Sequence, residues 1–509
     1  MKLFENAQIG KWDAYTMERD SITSLELMER AAMAIVRYLL ENHPHQEYFV
    51  FCGSGNNGGD GLAISRILID RGLSVHIIRV KVGKPSPDNL FELKLLKERG
   101  IPVHLIEEES DWMVPESGII LDCLLGTRIR YPLPDLVSFI INQINQVQLP
   151  IISVDIPSGI RPDLEEGVQA SIHPAIRATK TLCLEIPKLS ALVPGTGAHY
   201  GQWISLKIDL HADFIREEIT SWFLTSFKEA KDIFKPRKNF DFKGDYGHSL
   251  VFAGSYGKAG AAALCAKSCV RSGSGLVTLF SPEINAGILQ SDVEEAMFLP
   301  GGGDKILESL PLQDWEKYDA IGVGPGIGTD PKTREIVLHL IRKAKKPLVI
   351  DADGLNILAG QKDMDAIIPP GTILTPHVGE FNRITQGGSK DPVTRIHLGK
   401  DLAGKTKSVI ILKGAFTAVI FPNQEVHFNA TGNPGMATGG SGDVLTGILT
   451  ALRAQGYTSE ESALLGVYIH GRAGDLAKNV LGETALKAGD ICQFLGEAFL
   501  ELEKSKNSF

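Results

Sequence analysis

An α/β fold with two sandwich-type domains is predicted by three features of the chain. Short apolar segments of strand length alternate with amphipathic segments of helix length over most of the sequence. The expected strands end in glycine or polar clusters, as in open parallel sheets that bind ligands at their carboxyl edge. A chain of 509 residues is too long for one core, so residues 1–215 and 222–509 are expected to form separate domains.

The composition is typical of a soluble protein of the cytoplasm. The net charge is -9, and basic residues occur only in short clusters such as Lys343–Lys346, which excludes a nucleic-acid-binding surface. Apolar runs reach only about ten residues, too few to cross a membrane. The N-terminal residues lack the apolar core of a secretory signal. The six scattered cysteines are predicted to be reduced and buried.

The first domain begins with a helix, a strand and a glycine-rich segment. Ser24 is the expected N-cap of the first amphipathic helix. The strand Tyr48–Cys52 leads into Gly53–Gly61, and a second helix is expected over Leu62–Arg71. The glycine spacing matches the G-x-G-x-x-G pattern of dinucleotide-binding folds, which is a weak signal by itself.

This glycine-rich segment differs from an ordinary NAD site. An NAD-binding domain usually places an acidic residue at the end of its second strand to hold the ribose. Here that strand, Ser74–Val80, runs into Lys81. The side chains of Asn56, Asn57 and Asp60 instead offer oxygens that could hold a hydroxyl, an amide or a hard cation.

Two further strands of the first domain run directly into acids. The strand Ile119–Leu121 precedes Asp122, and the strand Ile151–Val154 precedes Asp155, with Ser158 nearby. Each aspartate alone could be a capping residue. Because parallel strands present their carboxyl ends at one edge, we expect these side chains to converge with Asn57 on a ligand site.

The alternation of strands and helices restarts after a polar segment, and we place the domain boundary near residues 212–225. Each expected strand is again followed by a glycine or polar cluster, which predicts a nucleotide-sized cleft. His377 could contact a ligand or serve as a turn residue, whereas Lys413 is placed to contact phosphate. The expected strands are Ser249–Ala253, Leu276–Phe280, Ile321–Val323, Pro347–Ile350, Ile373–Thr375 and Val409–Leu412, with a helix over Ala259–Arg271.

The stretch from Gly432 to Gly442 is predicted to bind an anion. It holds five glycines and one proline and leads into an apolar helical pattern. Unpaired backbone N–H groups and about half a positive charge collect at such a helix start, which suits a phosphate. Asp443 lies at the same point and is either an ordinary helix cap or a carboxylate within reach of the bound anion.

These motifs resemble two known families. The second half is similar to the NAD(P)H-hydrate dehydratases of the ribokinase-like superfamily, and the first half to the Rossmann-like NAD(P)H-hydrate epimerases. The order of the two is that of bacterial bifunctional repair enzymes, and the likeness covers nearly the whole chain. The dehydratase motifs are Gly322–Gly328, Asp351–Asn356, Leu374–Glu380, Leu412–Ala415 and Gly432–Leu445, and the epimerase motifs are Leu27–Ala31, Asn56–Gly61, Asp122–Thr127 and Asp155–Gly159.

The resemblance implies an activity for each domain. Hydrated NADH and NADPH exist as R and S epimers that no longer donate hydride. The first domain would interconvert the epimers with K+ bound. The second would use ADP and Mg2+ to dehydrate the S hydrate and restore the reduced cofactor. We expect the protein to be a homo-oligomer that acts on these small molecules. Neither nucleic acid nor a membrane is expected as a partner.

The resemblance also assigns residues to both sites. Asp443 and Asp155 would be the catalytic groups of dehydration and epimerisation. In the second domain the nucleotide would contact Lys413, Gly414, Ala415, Phe416, Thr417 and Gly442, and the hydrate Ala261, Gly326, Gly328, His377 and Asp443. In the first domain K+ would bind Asn57, Asp122 and Ser158, and the hydrate Asn56, Asn57, Gly58, Gly59, Asp60, Gly126, Thr127, Arg128, Ile129, Arg130, Tyr131, Pro132 and Asp155.

One departure and two alternatives stand beside this interpretation. The epimerases often have glycine where this chain has Arg128, and a β-carbon there changes the backbone freedom of the loop. A small-molecule kinase fused to a nucleotide-binding module would share the glycine stretch and the aspartate. A non-catalytic first domain that only binds a nucleotide is the other alternative.

Overall fold

The computed structural model describes residues 1–166, 173–310 and 315–504. Its chain divides into two compact units. The N-terminal unit comprises residues 2–220 and 391–393. The C-terminal unit comprises residues 221–390 and the chain from residue 394 onward, together with residue 1.

The N-terminal unit is built on a parallel sheet. The short strand β1 (Lys2–Leu3) lies outside this sheet, whose strands are β2 (Tyr48–Cys52), β3 (Val75–Val80), β4 (Val103–Ile106), β5 (Ile119–Cys123), β6 (Ile151–Val154), β7 (Lys180–Leu184) and β8 (Gln202–Leu206). Its helices are α1 (Asn6–Asp20), α2 (Ser24–Asn42), α3 (Asn56–Asp70), α4 (Pro87–Glu98), α5 (Asp135–Gln146) and α6 (Ala212–Glu217). The strand order is β4-β3-β2-β5-β6-β7-β8, with every neighbouring pair parallel.

This order reverses between β2 and β5, where a doubly wound sheet opens a ligand crevice at its carboxyl edge. Successive residues of a strand point to opposite faces of the sheet. Helices cover both of these faces. Val50 packs on one face with residues of α2 and α3, and Phe51 packs on the other with residues of α5. The sheet is therefore buried on both sides, as the apolar strands predict.

Three details of the N-terminal unit differ from the sequence expectations. The helix after β2 begins at Asn56, not at Leu62. Its start packs tightly, because a β-carbon on Gly58 would lie 1.9 Å from the carbonyl oxygen of Gly53. The N-cap of α2 is Thr23, whose hydroxyl accepts from the Glu26 N–H at 3.2 Å. In addition, β5 continues past the expected end and includes Asp122.

The C-terminal unit is also an α/β structure. Its strands are β9 (Trp222–Thr225), β10 (His248–Phe252), β11 (Leu276–Ser281), β12 (Ala296–Pro300), β13 (Ala320–Val323), β14 (Leu348–Ile350), β15 (Ile373–Leu374), β16 (Val409–Leu412), β17 (Ala418–Ile420) and β18 (Val426–Asn429). Its helices are α7 (Phe227–Ile233), α8 (Ala259–Arg271), α9 (Ala286–Asp292), α10 (Pro331–Lys343), α11 (Ala352–Ala359), α12 (Met364–Ile367), α13 (Val378–Ile384), α14 (Pro392–Thr406), α15 (Ser441–Ala454), α16 (Ser459–Leu481) and α17 (Ala488–Lys504).

The strand order in this unit is β9-β18-β17-β16-β15-β14-β13-β10-β11-β12. Pairing is parallel except where β17 meets β16 and β18. The antiparallel hairpin of β17 and β18, and the short strand β9, were not identified from the sequence. These strands have only three or four residues, which is too short for a clear alternation.

Two expectations about the whole chain can be compared with the structure. All six cysteines are free and buried. In the part of the chain that the structure describes, every helix is too short or too polar to cross a bilayer.

Candidate functional site

The N-terminal crevice brings the predicted cation ligands together. Phe51 of β2 pairs with Asp122 of β5, and Asp122 pairs in turn with Ser153 of β6. Asp122 is fully buried. One carboxylate oxygen accepts hydrogen bonds from the Ser153 hydroxyl at 2.7 Å and from the Ser158 N–H at 2.9 Å. The other accepts from the Ser158 hydroxyl at 2.5 Å, so Asp122 fixes the turn after β6.

The oxygens around Ser158 are suited to a hard cation. Asn57 donates from Nδ2 to the carbonyl of Leu125 at 2.8 Å, while its buried Oδ1 has no hydrogen-bond partner among the described residues. Burial raises the pKa of Asp122 against the opposing effect of its hydrogen bonds. A cation bound here would stabilise the ionised carboxylate of Asp122. It would also coordinate Oδ1 of Asn57, which has no hydrogen-bond partner among the described residues. Amide, carbonyl, hydroxyl and carboxylate oxygens are suitable ligands for a hard cation.

Asp155, the predicted catalytic residue of the first site, is held in an unusual conformation. Its φ of 67° lies in the left-handed region, where a non-glycine residue is strained. Its Oδ1 accepts from the Leu184 N–H at 3.1 Å and from Lys188 Nζ at 2.6 Å. The Lys188 side chain is only 2% exposed. A buried lysine therefore holds the carboxylate beside the crevice.

Two further acids, Asp13 and Asp60, lie near Asp155 and form a cluster of ionisable groups with it and Lys188. Burial and the neighbouring charges of Asp155 and Asp13 raise the pKa of Asp60 well above its ordinary value. Burial also raises the pKa of Asp13 to about 6, although Lys188 and Arg128 oppose the shift. The cluster thus holds carboxyl groups that resist ionisation next to one that is paired with a lysine.

Asp13 and Lys188 were missed by the sequence analysis. Asp13 lies in α1, far from every glycine-rich or strand-end motif. Lys188 follows the end of β7 by four residues, and its position after a strand was the one available signal.

The predicted contacts at 126–132 lie in the loop between β5 and α5, at the carboxyl edge of the sheet. A β-carbon on Gly126 would lie 3.2 Å from Asn57 Cβ, so this end of the loop adjoins the first turns of α3, which carry residues 56–60. The Tyr131 hydroxyl donates to the Gly159 carbonyl at 2.5 Å, with the Arg161 guanidinium 4.6 Å from the ring centre. The loop is thereby tied to the turn that carries Ser158.

The second site forms at the carboxyl ends of β13 to β16. Lys413 follows β16 and donates from Nζ to Asp351 Oδ1 at 2.8 Å, while Glu380 Oε2 lies 3.9 Å away. Thr446 of α15 donates to Asp351 Oδ2 at 2.8 Å. Burial lowers the pKa of Lys413, but Asp351 and Glu380 outweigh this effect and the pKa lies above its ordinary value. Lys413 is therefore a fixed positive charge.

Asp443 lies in the first turn of α15, but it does not cap the helix. The N-cap is Gly440, with a φ of 94°, and Asp443 is the third helical residue. The first amides of α15 have no intrahelical acceptors and point out of the helix beside it. Burial raises the pKa of Asp443 to about 7, and the charge of Asp351 adds to the shift while Lys413 opposes it. A carboxyl group near neutrality suits a general base.

The predicted nucleotide contacts adjoin this point. A β-carbon on Gly442 would lie 3.3 Å from Lys413 Nζ, so the first turn of α15 and the loop after β16 approach closely. Within that loop the Thr417 hydroxyl donates to the Gly414 carbonyl at 3.1 Å. Ala415 and Phe416 lie between these residues, and the first is exposed. The loop over 413–417 is a compact turn at the edge of the cleft.

His377 is the N-cap of α13. Its Nδ1 accepts from the Gly379 N–H at 2.9 Å, and Nε2 lies 3.3 Å from Glu380 Oε1. The side chain is 54% exposed. The ring of His377 stabilises the start of α13 and is also exposed to solvent. The structure therefore agrees with both roles considered from the sequence, a turn residue and a ligand contact.

The predicted hydrate contacts Ala261, Gly326 and Gly328 are grouped around Asp353. A β-carbon on Gly326 would lie 3.0 Å from Ala261 Cβ. The Gly328 N–H donates to Asp353 Oδ2 at 2.9 Å, and Lys258 Nζ lies 3.3 Å from the same oxygen. Asp353 was part of a predicted strand-end cluster, but no role was assigned to it.

Comparison with known proteins agrees with both halves of the chain. Residues 24–190 match the family described as YjeF-related protein N-terminus, and residues 249–495 match NAD(P)H-hydrate dehydratase. The chain is 32% identical over 529 residues to the bifunctional NAD(P)H-hydrate repair enzyme Nnr of Moorella thermoacetica, covering 99% of this chain and 98% of that protein. The chain belongs to the bifunctional NAD(P)H-hydrate repair enzyme family.

Further proteins are similar to most of the chain or to about half of it. The repair enzyme of Escherichia coli is 31% identical over 484 residues, covering 92% of this chain and 88% of that protein. A crystal structure of ADP/ATP-dependent NAD(P)H-hydrate dehydratase from Bacillus subtilis, co-crystallized with ATP/Mg2+, is 28% identical with a TM-score of 0.49. It covers 55% of this chain and 98% of that one. The family and the α/β fold class predicted from the sequence are confirmed.

Proposed function

We propose that this protein repairs hydrated nicotinamide cofactors at two separate sites. The C-terminal unit dehydrates the S hydrate of NADH or NADPH at the expense of ADP, and the N-terminal unit interconverts the R and S hydrates. Family membership supports both activities. The observation that carries the proposal is the position of Asp443, a carboxyl group with a pKa of about 7 in the first turn of α15.

The dehydratase residues divide the reaction between them. Asp443 takes the proton of the ring hydroxyl as its oxygen attacks the β-phosphoryl group of ADP, and AMP leaves. The amides of Gly439–Gly442 stabilise the charge on the transferring group, and Lys413 holds the nucleotide phosphates. The phosphorylated ring then loses inorganic phosphate and a ring proton, which restores the double bond.

Magnesium fits this cleft as part of the nucleotide complex. In proteins Mg2+ is commonly held by substrate phosphates and one or two carboxylates. Asp351 lies beside the first turns of α15, where the Thr446 hydroxyl donates to it. Asp351 is the carboxylate that would face the ion, which neutralises diphosphate charge when bound.

The epimerase proposal rests on the cluster around Asp155. Asp155 is the acid and base group, and its hydrogen bond from Lys188 at 2.6 Å holds the carboxylate in a fixed orientation. A potassium ion would be held by Asn57 Oδ1 and by oxygens of Asp122, Ser158 and Leu125. Its charge would bind the anionic phosphates of the hydrate.

An assay with hydrated NADH, Mg2+ and either ADP or ATP tests the dehydratase proposal. We expect recovery of absorbance at the reduced-nicotinamide band together with one inorganic phosphate for each cofactor repaired. Release of a stable phosphorylated product without that absorbance would favour the small-molecule kinase. Absence of both products would overturn the proposal.

Several finer features stay predictions of the resemblance. We propose that residues 1–215 carry the epimerase and residues 222–509 the dehydratase, and that potassium is the epimerase cation. A homo-oligomeric assembly in the cytoplasm is proposed on the same ground. The preference for ADP over ATP would follow from the assay above.

A further inference from the structure

Helix α16 lies directly against the glycine-rich segment 432–442, which we call the anion loop. Asp475 accepts hydrogen bonds from the Gly432 N–H and from Asn433 Nδ2, each at 3.0 Å. Just before the loop, the Thr431 hydroxyl donates to the Tyr468 carbonyl at 3.0 Å. One helix therefore fixes the start of the anion loop through a side chain and its own backbone.

The far end of the anion loop is held by His470 of the same helix. His470 Nε2 lies 3.0 Å from the carbonyl oxygen of Ser441 and 3.3 Å from the Ser441 hydroxyl. Burial lowers the pKa of His470 to about 4, so the ring is neutral near pH 7. Because a carbonyl oxygen can only accept a hydrogen bond, Nε2 carries the ring proton and donates a hydrogen bond to the Ser441 carbonyl.

The contact surface of α16 is shaped for this approach. A β-carbon on Gly471 would lie 2.2 Å from the Thr431 hydroxyl oxygen. A β-carbon on Gly474 would lie 2.2 Å from the sulfur of Met436. Gly471 and Gly474 lie on the same face of α16 as His470 and Asp475, because residues three or four positions apart share one face of a helix. The glycines admit the loop, and the two polar side chains bind its ends.

The bond to Ser441 acts on a peptide unit of the predicted active site. The carbonyl of Ser441 and the N–H of Gly442 belong to one planar trans peptide and point in opposite directions. A hydrogen bond that fixes the carbonyl therefore also fixes the direction of the Gly442 N–H. That N–H is one of the unpaired amides at the start of α15, next to Asp443.

We propose that His470 and Asp475 are positioning residues for phosphoryl transfer, holding the two ends of the anion loop so that the first amides of α15 and the Asp443 carboxylate point at the transferring group. The inference rests on the proposed dehydratase function. Both side chains act through their hydrogen bonds to the loop.

The test compares His470→Leu with His470→Gln in the full-length protein. Leucine removes the donor, whereas the glutamine amide can restore a hydrogen bond to the Ser441 carbonyl. We expect His470→Leu to lower kcat for dehydration about 30-fold with a change in the KM for ADP below about threefold, because misplaced donors cost transition-state stabilisation. The glutamine variant should recover most of the lost kcat.

One control variant and a second test variant complete the experiment. Leu289→Ala in α9 removes a buried side chain from a different core cluster, formed mainly by α8, α9 and strands β10 to β12, and should lower the melting temperature while leaving kcat within about twofold. Asp475→Asn keeps one acceptor oxygen but places a second amide donor opposite Asn433, and a smaller fall in kcat is expected. Measuring these variants beside the wild type separates lost stability from lost positioning.

Each outcome then has a defined meaning. If the wild type is active and both His470→Leu and Asp475→Asn have the same kcat as the wild type, the inference is overturned. An equal fall of kcat in Leu289→Ala would also overturn it, since the effect would then follow stability alone. A wild-type protein without turnover would instead overturn the proposed function.

Discussion

Lys413 donates its 2.8 Å hydrogen bond to Asp351 and not to Asp443. Lys413 is thus engaged by a neighbouring carboxylate, and Glu380 Oε2 lies 3.9 Å from its Nζ. No lysine of the described residues forms an ion pair with Asp443, and its pKa rises to about 7 through burial and the charge of Asp351. The arrangement separates a phosphate-binding charge from a proton acceptor.

Dehydration should depend on pH through Asp443. A general base works when it is ionised, so kcat/KM should rise about tenfold for each pH unit below a midpoint near pH 7 and level off above it. The midpoint is measured with hydrated NADH at saturating ADP and Mg2+. A profile flat between pH 5.5 and 8 would contradict the assignment, provided that the wild-type fold persists over that range.

The same shift has a consequence for stability. The pKa of Asp443 is raised in the folded state from 3.8 to about 7, so the folded protein binds the proton more tightly than the unfolded chain. Its contribution to stability is complete below pH 4 and is lost as the pH rises to about 7. Asp443→Asn should therefore gain stability relative to wild type across this range, which denaturant unfolding at pH 5 and pH 8 would measure.

Replacing the proposed base should separate chemistry from binding. Asp443→Asn keeps the shape of the side chain but removes the proton acceptor, so dehydration should fall by about 10³-fold while ADP still binds. Calorimetry with ADP and Mg2+ measures the binding, and Lys413→Ala serves as the contrasting variant with weakened ADP affinity. Loss of ADP binding in Asp443→Asn would reduce Asp443 to a structural residue.

The sequence predicted the parts of both sites that follow strand ends, because a parallel sheet presents those residues at one edge. Asp122, Asp155 and Lys413 are examples, although β5 extends one residue beyond Asp122. Lys188 and His470 were not predicted, because each acts on a partner far away in the sequence. Lys188 pairs with Asp155 only in the fold, and His470 bonds to a backbone carbonyl that no side-chain pattern reveals.

The two activities should be separable by substitution in the first site. Asp155→Ala should abolish the acceleration of R-hydrate use and leave S-hydrate use unchanged, since Asp155 and Asp443 lie in different units. Lys188→Met should give a weaker form of the same defect, because the carboxylate loses its 2.6 Å donor. Rates with each purified epimer provide the measurement. An equal loss with both epimers would refute the assignment of separate sites.

Potassium should stabilise the N-terminal unit through the orphaned amide oxygen of Asn57. A ligand that binds only the folded state adds RT ln(1 + [L]/Kd), so K+ should raise the unfolding midpoint by a few degrees relative to Li+ at equal ionic strength. Asn57→Ala removes the oxygen and should abolish the difference between the two salts. Ser74→Ala, which alters an exposed hydroxyl at the opposite end of the strands, should keep it. A K+ effect that survives in Asn57→Ala would place the cation elsewhere.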